Sequence, residues 1–290
     1  MSIAHSCMTV NLAIGAWSGQ RLDKGVSAKV TSEAGAAANT ARVNKQIIDK
    51  ASLRVVTGLA SQLRTLFYTR TLPWKDNGDR VLTRKMYQPF IEQFEEMKGQ
   101  NYAAVDEFAT KIYPEERARA EFRMGELFNV NDYPPVSDIR RRFYATLEID
   151  AVTEASDFRV GLDADQIEKI QTRIENSTND RIAKAMGDVW TRLGTTLEHF
   201  ATTMAKGDKV FRDSTVDNLT EIIELLPALN IMNDANLTAI YNDIKGTLIG
   251  LSPKDLRKRP DVRSAAADEA QRIVDEMQGF MRAFQTPDEE

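Results

Sequence analysis

Residues 69–87 read TRTLPWKDNGDRVLTRKMY, and the interpretation of this stretch decides the fold. Asn77-Gly78 lies between two short runs, Leu72–Lys75 and Arg80–Thr83. Asn-Gly suits a two-residue type I′ turn, because both central residues need positive φ. The stretch therefore predicts a β-hairpin with Lys75 opposite Arg80 and Trp74 opposite Val81. Pro73 cannot donate a ladder hydrogen bond, which assigns its strand to a sheet edge.

Helical patterns flank the hairpin on both sides. From Arg42 onward, Val43, Ile47, Ala51, Val55, Leu59, Leu63 and Leu66 recur at three- and four-residue steps and predict one amphipathic helix. After the hairpin, Pro89 suits a first helical turn, and Tyr87, Phe90, Phe94, Met97, Val105, Phe108 and Ile112 mark an apolar face. Two helices joined by a hairpin form an antiparallel pair. Pro114 then opens a shorter helix carrying Phe122, Met124, Leu127 and Phe128.

Further out, Val10, Leu12 and Ile14 alternate within residues 9–17, the pattern of a half-buried strand. The stretch from there to Ala38 is rich in Ala, Gly, Ser and Thr and reads either as a mobile connection or as a poorly specified helix. Asp132-Tyr133-Pro134-Pro135 breaks the helical run. Phe143, Ala145, Leu147 and Ile149 alternate beyond it, as do Phe158, Val160 and Leu162, and both runs read as strands. With residues 9–17 they make a small antiparallel sheet.

The remainder is helical in pattern. Asp163 with Gln166 resembles a capping box. A stripe of Ile167, Ile170, Ile174, Ile182, Met186, Val189, Leu193, Leu197, Phe200 and Met204 follows, with Gly207 as the C-cap and Asn176–Asn179 as the expected break. Helices are predicted at 215–229, 234–249 and 264–284, the last striped by Ile273, Met277, Phe280 and Phe284. Ser252-Pro253 marks one further helix start. The expected fold is α+β and helix-dominated: a small antiparallel sheet with long antiparallel helices, then an all-helical C-terminal region. The expected division is an α+β region at 1–162 and a helical region at 163–290.

Composition narrows the function classes. With 42% hydrophobic and 28% charged residues, the chain is neither disordered nor fibrous. Its net charge of −5 supplies no global field for nucleic acid or anionic lipid. No apolar run approaches a membrane span, and Met1–Trp17 lacks the features of a secretory signal. A single cysteine, Cys7, fits a reducing cytoplasm.

Catalytic patterns are sparse. The two histidines are His5 and His199; Cys7 lies near His5 without an orienting third group, and Thr196 stands where a Glu-x-x-His motif would need its Glu. No phosphate-binding glycine loop, H-E-x-x-H or calcium-loop pattern occurs. Carboxylates such as Glu92/Glu95/Glu96 and Glu115/Glu116 sit among basic residues on helical faces. No catalytic residue, metal site or cofactor is predicted.

One local concentration suggests binding. Arg64, Arg70, Lys75, Arg80, Arg84 and Lys85 interleave with Phe67, Tyr68, Trp74 and Tyr87. Cations that neutralise phosphates beside aromatic rings that stack on bases suit a single nucleic-acid strand. On this reading Arg64, Arg70, Trp74, Lys75, Arg80, Arg84 and Lys85 form the candidate site. The structural alternative makes the rings packing anchors and the arginines partners of carboxylates. Alternation already sets Lys75 and Arg80 on the face opposite Trp74. Arg140-Arg141-Arg142 and Lys254/Arg257/Lys258/Arg259/Arg263 are two further basic clusters.

VNLAIGAWSG at 10–19, Tyr113-Pro114, LFNVNDYPPVSDIRRRF at 127–143 and DFRV at 157–160 resemble an uncharacterised family of tailed-phage and prophage proteins, sometimes encoded near MoxR-type AAA+ ATPases. The resemblance covers about residues 1–162. It implies a phage origin, hence a bacterial host cytoplasm, and an ATPase-associated role, and it carries over no catalytic residue. Together these features lead to the expectation of a non-enzymatic interaction or assembly protein. It would act through long helices, with a protein partner or self-association and no membrane. Single-strand nucleic-acid binding through residues 64–87 is the alternative.

Overall fold

A computed structural model describes residues 3–157, 163–206 and 210–281. The chain is α+β and helix-dominated. Its strands are β1 (Cys7–Gly15), β2 (Gln20–Asp23), β3 (Val43–Gln46), β4 (Leu72–Pro73), β5 (Arg80–Thr83) and β6 (Tyr144–Ala151). They form a four-stranded sheet in the order β4-β5-β1-β6 and a two-stranded antiparallel sheet, β2-β3. Pro73 lies on edge strand β4, as its missing N–H requires. Gly15 lets the Tyr144 ring cross β1, where a Cβ would come within 2.2 Å of it.

The helices are α1 (Lys24–Glu33), α2 (Lys50–Arg70), α3 (Arg84–Glu107), α4 (Tyr113–Met124), α5 (Val136–Arg141), α6 (Ala164–Ala205), α7 (Ser214–Leu229), α8 (Ala235–Thr247), α9 (Pro253–Lys258) and α10 (Pro260–Met281). The chain divides into two compact units. The first holds the described residues of 1–11, 68–88 and 149–290; the second holds 12–67 and 89–148. This division differs from the expected one at 162/163, because β1 pairs with β5 (Val10 opposite Arg80) and sheet pairing joins distant segments.

The second unit has an aromatic core. Trp17, Ile47, Ile48, Val105, Phe108, Tyr113, Tyr133, Ile139 and Phe143 are all buried in it. Trp17 meets Tyr113 edge-on at 5.9 Å, and Phe108 meets Phe143 edge-on at 6.0 Å. Tyr113 donates its hydroxyl to the Pro134 carbonyl at 2.6 Å, and burial pushes this phenol up to about 12. Tyr133 likewise donates to the Ile47 carbonyl at 3.1 Å. Many of the residues behind the phage-family resemblance are therefore core residues that pack this unit.

The first unit is built on α6, which packs against α7 and α10. From Ala185 to Met204 its buried face includes Met186, Val189, Trp190, Leu193, Leu197 and Phe200. Trp190 lies 5.9 Å from Phe280 of α10, and its indole N–H donates to Asp234 at 3.3 Å. At 42 residues, α6 is about 63 Å long. The expected break at Asn176–Asn179 does not occur.

Several other expectations are corrected. Residues 43–46 are strand, and α2 starts at Lys50, where Asp49 accepts the Ala51 N–H at 2.9 Å. The adjacent Ile47 and Ile48 are both buried, and the backbone N–H of each donates to the Gly19 carbonyl, at 2.9 and 3.2 Å, instead of into a helix. The α2 stripe consequently shifts to Leu53, Val56, Ala60, Leu63, Leu66 and Phe67, leaving Val55 64% exposed. The ambiguous stretch before Ala38 contains β2 and α1, whose N-cap Asp23 accepts the Val26 N–H at 3.0 Å. Helix α3 begins five residues before Pro89, with Thr83 Oγ1 accepting the Met86 N–H. Helix α4 is continuous with α3 through a π-helical turn at Phe108–Ile112. Pro114 has no N–H to return to the preceding turn, and this wider turn precedes it. The Phe158–Leu162 strand, the Gly207 cap and Phe284 lie outside the described residues.

Candidate functional site

The hairpin exists, but its register differs from the expected one. Leu72 pairs with Val81 and Pro73 with Arg80, so the connecting loop runs from Trp74 to Asp79. Gly78 alone takes positive φ (+96°) there, so the turn is not type I′. The Asp79 carbonyl accepts from both Trp74 N–H (3.2 Å) and Lys75 N–H (3.1 Å). Its carboxylate accepts from Asn11 and Lys75 (3.0 Å each) and from Asn77 (3.3 Å). These donors, Asn11 first, hold the Asp79 carboxyl below the usual carboxylate range. A depressed folded pKa contributes stability that is present above the unfolded value of about 3.9 and is lost as pH falls through the folded pKa. Asp79→Asn is thus expected to flatten the acid limb of the stability–pH curve. Chemical denaturation between about pH 2 and pH 6 measures this; an unchanged acid limb would refute it.

Trp74 is 3% exposed, with the Arg181 guanidinium 5.9 Å from its ring centroid. This ring is a packing anchor and presents no platform to a nucleic-acid base, which corrects the expectation. Arg80 is likewise committed. Its Nε donates to Thr71 Oγ1 at 2.7 Å and its Nη2 to the Thr71 carbonyl at 2.8 Å. Arg192 of α6 donates to the same carbonyl at 3.0 Å and to that of Thr69 at 3.3 Å, and it pairs with Asp188 at 2.6 Å. A helix leaves its last carbonyls without intrahelical donors and carries negative dipole charge there. The two arginines supply both the donors and the countercharge at the end of α2. Burial, and then the neighbouring Arg192, push Arg80 down to about 10, so it stays charged at neutral pH.

The remaining predicted residues are divided between the two units. Lys75 is tied to Asp79, Arg70 lies 3.9 Å from Glu221, and Lys85 donates to the Pro227 carbonyl at 3.4 Å. Arg84 is exposed, and Arg64 belongs to the second unit, where it donates to the Ile14 carbonyl at 3.2 Å. Members of the other basic clusters also pair with carboxylates or are buried. Arg140 pairs with Asp106 at 2.7 Å, Arg257 with Asp213, and Arg259 with Asp261 at 3.1 Å, while Arg263 is buried. Cys7 is buried, and burial raises its thiol pKa away from the reactive thiolate.

Three features of the structure were not anticipated. In the second unit, Lys45 is held between Asp23 (3.1 Å) and Asp132 (2.6 Å) and donates to the Leu127 carbonyl at 3.0 Å. All three ammonium donors have acceptors, so this cluster staples the loop around Asp132 to the β2-β3 pair. Separately, the apolar stripe of α6 continues towards its N-terminus through Ile167, Ile170 and Ile174 without any fully buried residue before Ala185. Finally, Phe122 on α4 is 96% exposed, with Leu127 and Val130 about half-exposed just beyond it. Sequence spacing alone treats Phe122 as an ordinary core position. The signal that it is not is its shared face with Lys111, Glu115 and Ala118.

Among the described residues, no helix is long and apolar enough to cross a membrane. Comparison with protein-family models, curated proteins and solved structures finds no match.

Proposed function

We propose that the chain is a non-enzymatic interaction or assembly protein that engages a protein partner along the first half of α6. The observation carrying this reading is the half-buried continuation of the α6 stripe. Over residues 164–184, about 30 Å of helix, Ile167, Ile170 and Ile174 keep the spacing of the buried half, and none of these residues is fully buried. A striped helix whose apolar face is only partly covered leaves room for the groove of another protein. The resemblance to tailed-phage proteins adds a partner class, phage assembly components or an associated AAA+ ATPase.

The test is the triple variant Ile167→Asp/Ile170→Asp/Ile174→Asp, compared with the parent in affinity capture from phage-infected host cells followed by mass spectrometry. The variant should lose a specific captured protein while its circular dichroism and melting stay close to the parent's, since no fully buried contact is removed. Equal recovery of the same proteins by parent and variant would sink the reading.

A further inference from the structure

A cavity of about 750 Å³ lies in the second unit between α1 and the stretch 36–42 that follows it. Sites that take small organic molecules span roughly 300–1,000 Å³. Small side chains make the room: Ala28 on α1 and Ala36, Ala38 and Ala41 beyond it form walls, and Leu22 adds an aliphatic surface. Among the described residues no aromatic ring lines the cavity, so it offers no platform for a nucleobase. Hydrogen bonds hold the walls in place. The Ala36 N–H donates to the Thr31 carbonyl at 3.0 Å, Thr31 Oγ1 accepts the Ala41 N–H at 3.3 Å, and Ser27 Oγ accepts the Val43 N–H at 2.9 Å. The stretch is thus tied to α1 at both of its ends.

Two cations stand at the rim. The last rung of the β2-β3 pair sets Asp23 opposite Val43, so Lys24 and Arg42 follow at the same end of that pair, and both line the cavity. Like charges placed side by side repel. Among the described residues neither side chain has a hydrogen-bond or ion-pair partner, and no carboxylate lines the cavity. The neighbouring carboxylates are engaged elsewhere. Lys45 holds Asp23 at 3.1 Å and Asp132 at 2.6 Å, and Glu33 lies 3.9 Å from Lys29. The Ser32 hydroxyl and the Asn39 amide add neutral donors to the lining.

We propose that this cavity binds a small aliphatic molecule carrying a phosphate or carboxylate group, its anionic end between Lys24 and Arg42 and its carbon chain along the alanines. The guanidinium fork of Arg42 matches either oxyanion, and the Lys24 ammonium supplies a second charge-assisted hydrogen bond. An inorganic ion leaves the alanine walls unused, and a neutral alcohol leaves both cations unpaired. The cavity lies in the second unit and α6 in the first, so the proposal does not rest on capture of a partner through that helix.

The experiment is isothermal titration calorimetry of the full chain, at low ionic strength, with hexyl phosphate, hexanoate, inorganic phosphate and 1-hexanol as separate probes. Hexyl phosphate or hexanoate should bind with a dissociation constant below about 1 mM, at least tenfold tighter than inorganic phosphate or 1-hexanol. Whichever of the two binds more tightly names the class of ligand. Lys24→Ala and Arg42→Ala should each weaken binding about tenfold, the scale of one charge-assisted hydrogen bond. Ala28→Phe, which fills the cavity and leaves both cations in place, should abolish it. All three positions are exposed, so the melting curves without probe should match the parent's. Binding of neither organic anion, equal affinity for inorganic phosphate, or full affinity in Ala28→Phe overturns the proposal without bearing on capture through α6.

Discussion

Trp74→Ala is expected to destabilise the fold by about 3–5 kcal/mol, the cost of emptying a large buried aromatic site. The indole is 3% exposed and sits where the loop closes through the Trp74 backbone N–H to the Asp79 carbonyl. Truncation removes the ring from beneath Arg181 and leaves a void that a close-packed interior fills only in part. Urea unfolding of parent and variant measures the loss as a lower midpoint at unchanged slope. Oligonucleotide affinity should not respond to the substitution under conditions where the variant remains folded. A stable Trp74→Ala chain with weakened single-strand binding would reinstate the ring as a stacking platform.

Lys45→Ala is expected to cost about 2–3 kcal/mol, the scale of losing hydrogen bonds to a charged group. The ammonium lies between Asp23 and Asp132 and donates to the Leu127 carbonyl, and its side chain is largely buried. Its removal sets two carboxylates against each other with Arg21, 3.6 Å from Asp132, as the neighbouring cation. Replacing a buried ion pair by apolar groups of similar volume is often close to neutral, whereas removing one partner is costly. Lys45→Met/Asp132→Leu should therefore recover most of the stability lost in Lys45→Ala, as measured by the urea midpoint. Equal stability of parent and Lys45→Ala would show that the cluster is fully solvated and contributes nothing.

Long apolar periodicities were legible from the residues alone. The stripe of α6 and the alternation of β6 both follow from side chains that must leave water, and periodicity is the direct record of that need. Helix α1 was not legible because it packs through hydroxyls. Ser27 Oγ accepts the Val43 N–H at 2.9 Å, Thr31 Oγ1 accepts the Ala41 N–H at 3.3 Å, and these two are its buried residues. No apolar spacing announces such a contact. The hairpin shows a different limit. Asn77-Gly78 marks a turn, but its register depends on Asn11, which reaches Asp79 from a strand 68 positions away in the chain. The basic residues around the hairpin misled for a related reason. Their count is local, while some of the groups that engage them come from distant segments, the Glu221 carboxylate on α7 for Arg70 and the Pro227 carbonyl for Lys85 among them. The exposed Phe122 is the reverse case, an apolar residue that stripe-spacing assigns to a core and that only the polar neighbours on its own face, Glu115 among them, mark as exposed.

The discontinuity of the two units bears on how the chain is made. Residues 12–67 and 89–148 complete the second unit about halfway through synthesis, so it can close early. The first unit contains β1 up to Asn11 and also α10, which are about 250 residues apart. At roughly 5–20 residues per second, β1 waits on the order of 12–50 s for the last helix of its own unit to be translated. During that interval its partner β5 and its neighbour β6 are already available, and the sheet can nucleate ahead of the helical layer. Ribosome pausing after β6 should therefore favour ordered assembly, and a circular permutant opened in the loop between α8 and α9 would make α9 and α10 available before β1.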